Sequence, residues 1–319
     1  MSISNMLANR ILNGYKITKE EALKLYLEPA EELYKAADLI RKTLTGNKVD
    51  LCSIINGKSG RCSEDCKYCA QSIHFKTGAL EYSLLSYEEI KNYARENETE
   101  GVDRFSIVTS GKALVGNDFE KVVDYYKRLN DECDINLCAS HGILSRESLS
   151  KLKESGVKRY HHNIETSKKY YSKICTTHNY EDRIDTINKA KEIGLEVCSG
   201  GIIGMGETRE DRVDMAIELR NLNILSIPIN ALMAIKGTPL ENEEALTEEE
   251  ILRTIAIFRF INPKANIRLA AGRNLLKDSG KEAFKAGANA TITGNLLTTC
   301  GNRICDDRKM IKDLGLMVK

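Results

Sequence analysis

Leu51-Cys-Ser-Ile-Ile-Asn-Gly-Lys-Ser-Gly-Arg-Cys-Ser-Glu-Asp-Cys-Lys-Tyr-Cys-Ala-Gln71 is where the chain changes character. Its first five residues, 51–55, form a short apolar run of strand type. Ahead of it, over about residues 1–46, the pattern is helical. Thr18-x-x-Glu21 is a capping box before an apolar-periodic run, Pro29 breaks that run, and Glu31 to Leu44 resumes it. After it, short apolar segments alternate with amphipathic helices. The strand candidates are 51–55, 104–109, 135–139, 159–165, 196–203, 226–231, 267–270 and 290–293. Helix starts are marked by Ser86-x-x-Glu89, Asn117-x-x-Glu120, Thr208-x-x-Asp211 and Thr247-x-x-Glu250, and helix stops by Gly156, Gly194 and Gly287. Eight strands, each followed by a helix, predict an α/β fold: a parallel TIM-type (β/α)8 barrel over 47–319 behind an N-terminal helical extension over 1–46. A doubly wound open sheet is the alternative, disfavoured by the strand count.

The same stretch carries Cys62, Cys66 and Cys69, spaced C-x3-C-x2-C, in the longest gap between neighbouring strand candidates. Loops at the C-terminal ends of barrel strands build active sites, so the triplet is expected on the functional face. Three thiolates this close can reach three irons of one cube and leave the fourth open to a substrate or cofactor. A zinc site would want a fourth Cys or His nearby, and His74 is the nearest candidate. A ferredoxin-type site would want a fourth Cys in a run such as C-x2-C-x2-C-x3-C, which is absent. In the barrel context the open-iron cluster is the favoured reading.

Composition narrows the class. The 47 basic and 46 acidic side chains nearly balance and alternate in sign, which gives no sign of a nucleic-acid surface. No secretory signal or membrane-spanning stretch is visible, so a cytoplasmic protein is expected. Ten cysteines in such a chain are better read as metal ligands or catalytic groups than as a disulfide framework. Outside the triplet, any one of them could equally be a small buried hydrophobe. The acidic run 241–250 is read as a solvated loop and helix start.

The triplet spacing is the signature of the radical S-adenosylmethionine superfamily, and further segments resemble its biotin synthase family. They are 51–71, Tyr-His-His-Asn-Ile-Glu-Thr (160–166), Val-Cys-Ser-Gly-Gly-Ile-Ile-Gly-Met-Gly-Glu-Thr (197–208), Ile-Pro-Ile-Asn (227–230), Lys-Gly-Thr-Pro-Leu (236–240) and Ile-Arg-Leu-Ala-Ala-Gly-Arg (267–273). The resemblance implies a [4Fe-4S] cluster on Cys62, Cys66 and Cys69 that binds S-adenosylmethionine. It also implies a 5′-deoxyadenosyl radical that takes hydrogen from dethiobiotin, and sulfur insertion from a second, auxiliary cluster. A flavodoxin- or ferredoxin-type electron donor and a homodimer are implied in the same way.

Residue roles follow from the same resemblance. Tyr68 matches the aromatic beside the adenine, and Gly200-x-Ile202-x-Gly204-x-x-Glu207 the adenine-contacting motif. Taken alone, Tyr68 reads as a packed ring and the glycines as a tight turn. Arg183 matches a guanidinium that pairs with the cofactor carboxylate; in isolation it reads as a solvated helix charge. Asn163 and Glu165 match polar groups at the ribose and substrate. Asn163 and Asn230 suit a cyclic urea, because an amide both donates and accepts. His162 is given a minor role. An electron carrier or cluster scaffold would need neither Arg183 nor Gly200–Glu207; a radical enzyme acting on another small molecule is the rival within the superfamily, and a zinc-stabilised module a more distant one.

For the auxiliary cluster, [2Fe-2S] in the best-known form, the family uses three cysteines and an arginine on barrel strands. Cys138, Cys198 and Arg268 match three of these positions on the third, fifth and seventh strands. The second-strand position here is Ser106, a poor substitute for a thiolate on iron. Cys175, after the fourth strand, is a candidate to compensate; its other reading is a packed thiol. Cys300 and Cys305 are a further pair of lower rank, and Cys52 and Cys133 are read as structural.

Overall fold

A computed structural model describes residues 2–297 and 301–318; Cys300 lies outside the described residues. Three helices come first: α1 (Ile3–Leu12), α2 (Lys19–Lys24) and α3 (Ala30–Thr45). The Thr18–Glu21 capping box forms at the start of α2, and Pro29 is the N-cap of α3. Leu33, Ala36, Ala37 and Ile40 make one buried stripe of α3, and the helix packs on α10 (Glu248–Ile261).

The strands that follow are β1 (Asp50–Lys58), β2 (Arg104–Thr109), β3 (Asn136–Ser140), β4 (Arg159–His161), β5 in two pieces (Glu196–Cys198 and Gly201–Ile203), β6 (Ser226–Ala231), β7 (Asn266–Leu269) and β8 (Ala290–Ile292). Each is parallel to its neighbours, and β8 pairs with β1. The ring is closed: it is the eight-stranded barrel the strand count predicts, and the open sheet is excluded. The crossover helices on its outside include α4 (Tyr87–Thr99), α5 (Gly116–Glu132), α6 (Arg146–Glu154), α8 (Tyr180–Glu192) and α9 (Arg209–Asn221). Outward strand residues such as Phe105, Leu137, Tyr160, Ile227 and Ile267 are fully buried beneath them.

Local departures from the sequence pattern have physical causes. The α5 start is displaced: Val115 is its N-cap without a side-chain bond, and Asn117 falls inside the helix. Gly116 at φ +64° makes the turn there, so no polar cap fixes the position. Strand β5 is broken at Ser199–Gly200, opposite Pro228 of β6. Proline has no amide hydrogen to give the ladder, and a Cβ on Gly200 would run into the Pro228 carbonyl. Strand β4 stops at His161 and not at 165, because Asn163 turns its side chain to the Gly200 amide (3.1 Å) and Glu165 takes φ +68°.

The barrel's lower interior is polar where many such barrels are aliphatic. The Asp50 carboxylate meets Arg268 at 2.8 Å and Arg104 and Arg159 at 3.4 Å each. Glu196 takes Arg159 at 2.8 Å and Arg104 at 3.7 Å. Burial alone would raise the Asp50 pKa, but Arg268, Arg104 and Arg159 together hold it below the usual carboxylate range. Above this network, toward the C-terminal ends of the strands, the barrel opens into a cavity of about 410 Å³.

Candidate active site

The triplet loop follows β1 and walls this cavity. Cys62, Cys66, Tyr68 and Cys69 all line it. The loop is tied by its own backbone: the Cys62 amide donates to Gln71 O (3.0 Å), Ile73 N to Cys62 O (2.9 Å) and Cys69 N to Cys66 O (2.9 Å). Burial pushes the Cys69 thiol up to about 11 and that of Cys62 up as well. Burial thus disfavours their thiolates, a cost that a bound cation would offset. Three thiols on one wall fit a cluster that leaves one iron facing the cavity. His74 does not join them; its Nε2 lies 3.0 Å from Ser63 O, and its side chain is exposed.

Arg183 comes from α8 and is buried. Its Nε donates to Tyr171 Oη (2.6 Å), Nη1 to Asn163 O (3.0 Å) and Nη2 to His178 Nε2 (3.0 Å), and Glu165 lies 3.4 Å away. A guanidinium only donates, so His178 Nε2 accepts and its ring proton sits on Nδ1, which is 2.6 Å from Glu64 Oε2. Glu64 precedes Cys66 by two residues. A relay of hydrogen bonds thus links the triplet loop through His178 to Arg183. The sequence reading missed Glu64 and His178, which lie more than a hundred residues apart and carry no motif spacing.

Asn163, Glu165, Ile202 and Asn230 reach the same cavity. Asn230 bridges strands, donating to Gly201 O (3.0 Å) and accepting from Ala271 N (3.1 Å). Glu207 folds back on its own turn, accepting from the Gly204 (2.8 Å) and Met205 (2.7 Å) amides and pairing with Arg212 at 2.6 Å. It shapes the segment that carries Ile202 to the cavity. His162 is buried with Nε2 unpartnered and its ring stacked on Tyr160.

Cys175 is the main departure. Its thiol lies 3.7 Å from Cys66 and 3.3 Å from His178 Nδ1. Cys66, Cys175 and His178 are close enough together to hold a metal ion. The structure does not join Cys175 to Cys138 and Cys198, because it sits on the loop after α7 (Lys168–Tyr171) and not on a barrel strand. Cys305 is exposed on α12 (Ile304–Asp313). Cys198 and Arg268 floor the cavity. Cys138 is fully buried on β3, and Ser106 faces it across the β2–β3 ladder with its hydroxyl unpartnered.

The chain matches two family models: the radical SAM superfamily over residues 58–219 and the biotin and thiamin synthesis associated domain over 228–317. It is 64% identical to a biotin synthase of Clostridium perfringens (strain 13 / Type A), covering 97% of both chains, and 58% identical to one of Alkaliphilus metalliredigens (strain QYMF), covering 97% of this chain and 98% of the other. Among solved structures it resembles a methylornithine synthase (TM-score 0.84, 21% identity, 98% of this chain and 97% of the other). It also resembles a maturase of the [FeFe]-hydrogenase (TM-score 0.84, 18% identity, 98% and 74%). Those two share its fold. Together with the thiol-lined barrel mouth, these matches establish that the chain belongs to the biotin synthase family of the radical S-adenosylmethionine superfamily.

Proposed function

We propose that the chain is a sulfurtransferase that converts dethiobiotin to biotin. The observation that carries this is one cavity with Cys62, Cys66, Cys69 and Arg183 on its walls and Cys198 and Arg268 on its floor. A [4Fe-4S] cluster with S-adenosylmethionine would supply the radical that removes hydrogen from carbon, and an auxiliary cluster, [2Fe-2S] on the family's pattern, the sulfur that bridges the two carbons.

The chain's own residues set the stage for this chemistry. Arg183, held on three sides by protein acceptors, offers a fixed positive charge for the cofactor carboxylate. Tyr68, Gly200, Ile202, Gly204 and Glu207 form and support the adenosine side. Asn163 and Glu165 serve the ribose and the substrate, and Asn163 with Asn230 the cyclic urea. The apolar wall of Ile54, Val108 and Ile292 keeps water from a carbon radical. With Cys198 and Arg268 on the floor and Cys62, Cys66 and Cys69 on the wall, the residues that would hold the two groups line different parts of one cavity. A flavodoxin- or ferredoxin-type donor, a homodimer and a cytoplasmic location belong to this reading on the family's pattern. Among the described residues no helix is long and apolar enough to cross a membrane.

The test is anaerobic reconstitution followed by reductant, S-adenosylmethionine and dethiobiotin. Two C–H bonds break per product, so two molecules of 5′-deoxyadenosine per biotin are expected. 5′-Deoxyadenosine without biotin would point to a different substrate, and neither product would reject a radical enzyme.

A further inference from the structure

We propose that Cys52 is the third thiolate of the auxiliary cluster, completing with Cys138, Cys198 and Arg268 a single four-membered layer of the barrel. This rests on the reading that an auxiliary cluster is present; it replaces both Ser106 and Cys175 as the answer to which group stands third.

The layer follows from the strand register. Side chains inside a (β/α)8 barrel stack in layers of four, each contributed by alternate strands. Because the strands are staggered, the same height is reached by crossing two strands along paired residues and moving two residues up. Cys52 pairs with Arg104 and Arg104 with Asn136; two residues on is Cys138. Cys138 pairs with Arg159 and Arg159 with Glu196; two on is Cys198. Cys198 pairs with Ser226 and Ser226 with Asn266; two on is Arg268. Arg268 pairs with Ala290 and Ala290 with Asp50; two on is Cys52 again. The circuit closes, so β1, β3, β5 and β7 contribute three thiols and one guanidinium at one height.

The same walk from Ser106 gives a different layer: Ser106, His161, Pro228 and Ile292, one level nearer the cavity mouth. That layer holds two orphaned polar atoms. Ser106 Oγ and His161 Nε2 are buried without any partner, and both overhang the thiol layer. Unpartnered buried polar atoms call for an explanation, and a group bound against this layer is one that satisfies both.

Contacts within the layer agree. The thiols of Cys52 and Cys138 interact directly, and Cys198 and Arg268 are close enough to Cys52 to share its electrostatic field. Ser226 Oγ lies 3.2 Å from Cys198 Sγ. Arg104 and Arg159 lie beneath and, with Arg268 of the layer itself, make three guanidiniums against two carboxylates, Asp50 and Glu196. The excess is one positive charge, that of the layer's own level, beside three thiols, which suits thiolates and the anionic group they would hold. Soft sulfur from β1 can therefore do what the hard hydroxyl of Ser106 cannot.

The experiment isolates the auxiliary site by replacing Cys62, Cys66 and Cys69 with Ala in the full chain. Iron and sulfide are then counted after anaerobic reconstitution, with a Mössbauer spectrum of each sample and circular dichroism as a check on folding. The parent is expected to hold auxiliary iron. Cys52→Ala is expected to fold yet lose most of that iron, Ser106→Ala to keep it, and Ser106→Cys added to Cys52→Ala to restore it by moving the thiolate to the neighbouring strand. Full iron with an unchanged spectrum in Cys52→Ala overturns the proposal, as does loss on Ser106→Ala without loss on Cys52→Ala. A parent without iron overturns the auxiliary-cluster reading itself, and the proposal with it.

Discussion

The Cys175 thiol, on the loop after α7, lies 3.7 Å from that of Cys66. Asp65 fixes the Cys175 loop by accepting from the Thr176 (2.8 Å) and Thr177 (3.1 Å) amides. Two consequences can be measured. Cys175→Ala should leave auxiliary iron unchanged in a chain lacking the triplet, because Cys175 is no part of the barrel layers. In the apoprotein, air should draw Cys66 and Cys175 into a disulfide, since the sulfurs need close by less than the width of an atom. Peptide mapping after alkylation should find that cross-link in wild type and not in Cys175→Ala; free thiols at both positions would refute it.

Arg183 and Glu165 form a buried pair at 3.4 Å whose arginine also serves Tyr171, Asn163 and His178. Arg183→Gln leaves the carboxylate without its cation, which for buried pairs costs about 3–5 kcal/mol. Arg183→Lys keeps the charge but not the planar fork, so it should be less destabilised while still binding S-adenosylmethionine at least about tenfold more weakly. Urea midpoints and equilibrium dialysis of the cofactor separate the two effects. Wild-type cofactor affinity in both variants would remove Arg183 from the binding site.

Asp50 is the hub of the lower barrel, with three arginines on one carboxylate. Asp50→Asn should lower stability by about 3–5 kcal/mol, because three guanidiniums then crowd a neutral amide. It should also reduce auxiliary iron, since Arg268 loses its anchor below the thiol layer. Denaturant titration of the apoprotein and iron analysis read these separately. A variant as stable as wild type would mean that Glu196 alone neutralises the network.

The barrel was legible because its signals are local: apolar runs of strand length, capping boxes and glycine stops. The break in β5 was not, because it depends on Pro228 lying opposite Gly200, a tertiary pairing. At the site, the triplet announces itself by spacing within eight residues. Cys52 could have been read from the pleat of 51–55, which points alternate residues into the barrel, but a layer needs register across all eight strands. Cys175 looked like a substitute for the thiolate missing at Ser106 of β2 because it follows the fourth strand in sequence, where the family's best-known form has an apolar residue. The loop after α7 instead carries it out to the triplet. Glu64 and His178 gave no sequence signal beyond their residue types.

His141 offers a prediction about acid. It is fully buried, with Nδ1 3.0 Å from Thr109 Oγ1 and Nε2 3.2 Å from Tyr126 Oη, and burial pulls its pKa down to about 3. In the unfolded chain it titrates near the ordinary histidine value of about 6.5. Between those values the unfolded state binds a proton that the folded state refuses, so stability rises with pH there and falls as pH drops below about 6.5. From pH 7 to pH 5 this one group should remove about 2 kcal/mol. Gln at the same position retains a donor and an acceptor and does not titrate. His141→Gln should therefore be somewhat less stable at pH 7 yet lose about 2 kcal/mol less than wild type on acidification. Urea titrations of both apoproteins at pH 7 and pH 5 decide it. Equal losses would show that His141 takes up its proton in the folded state.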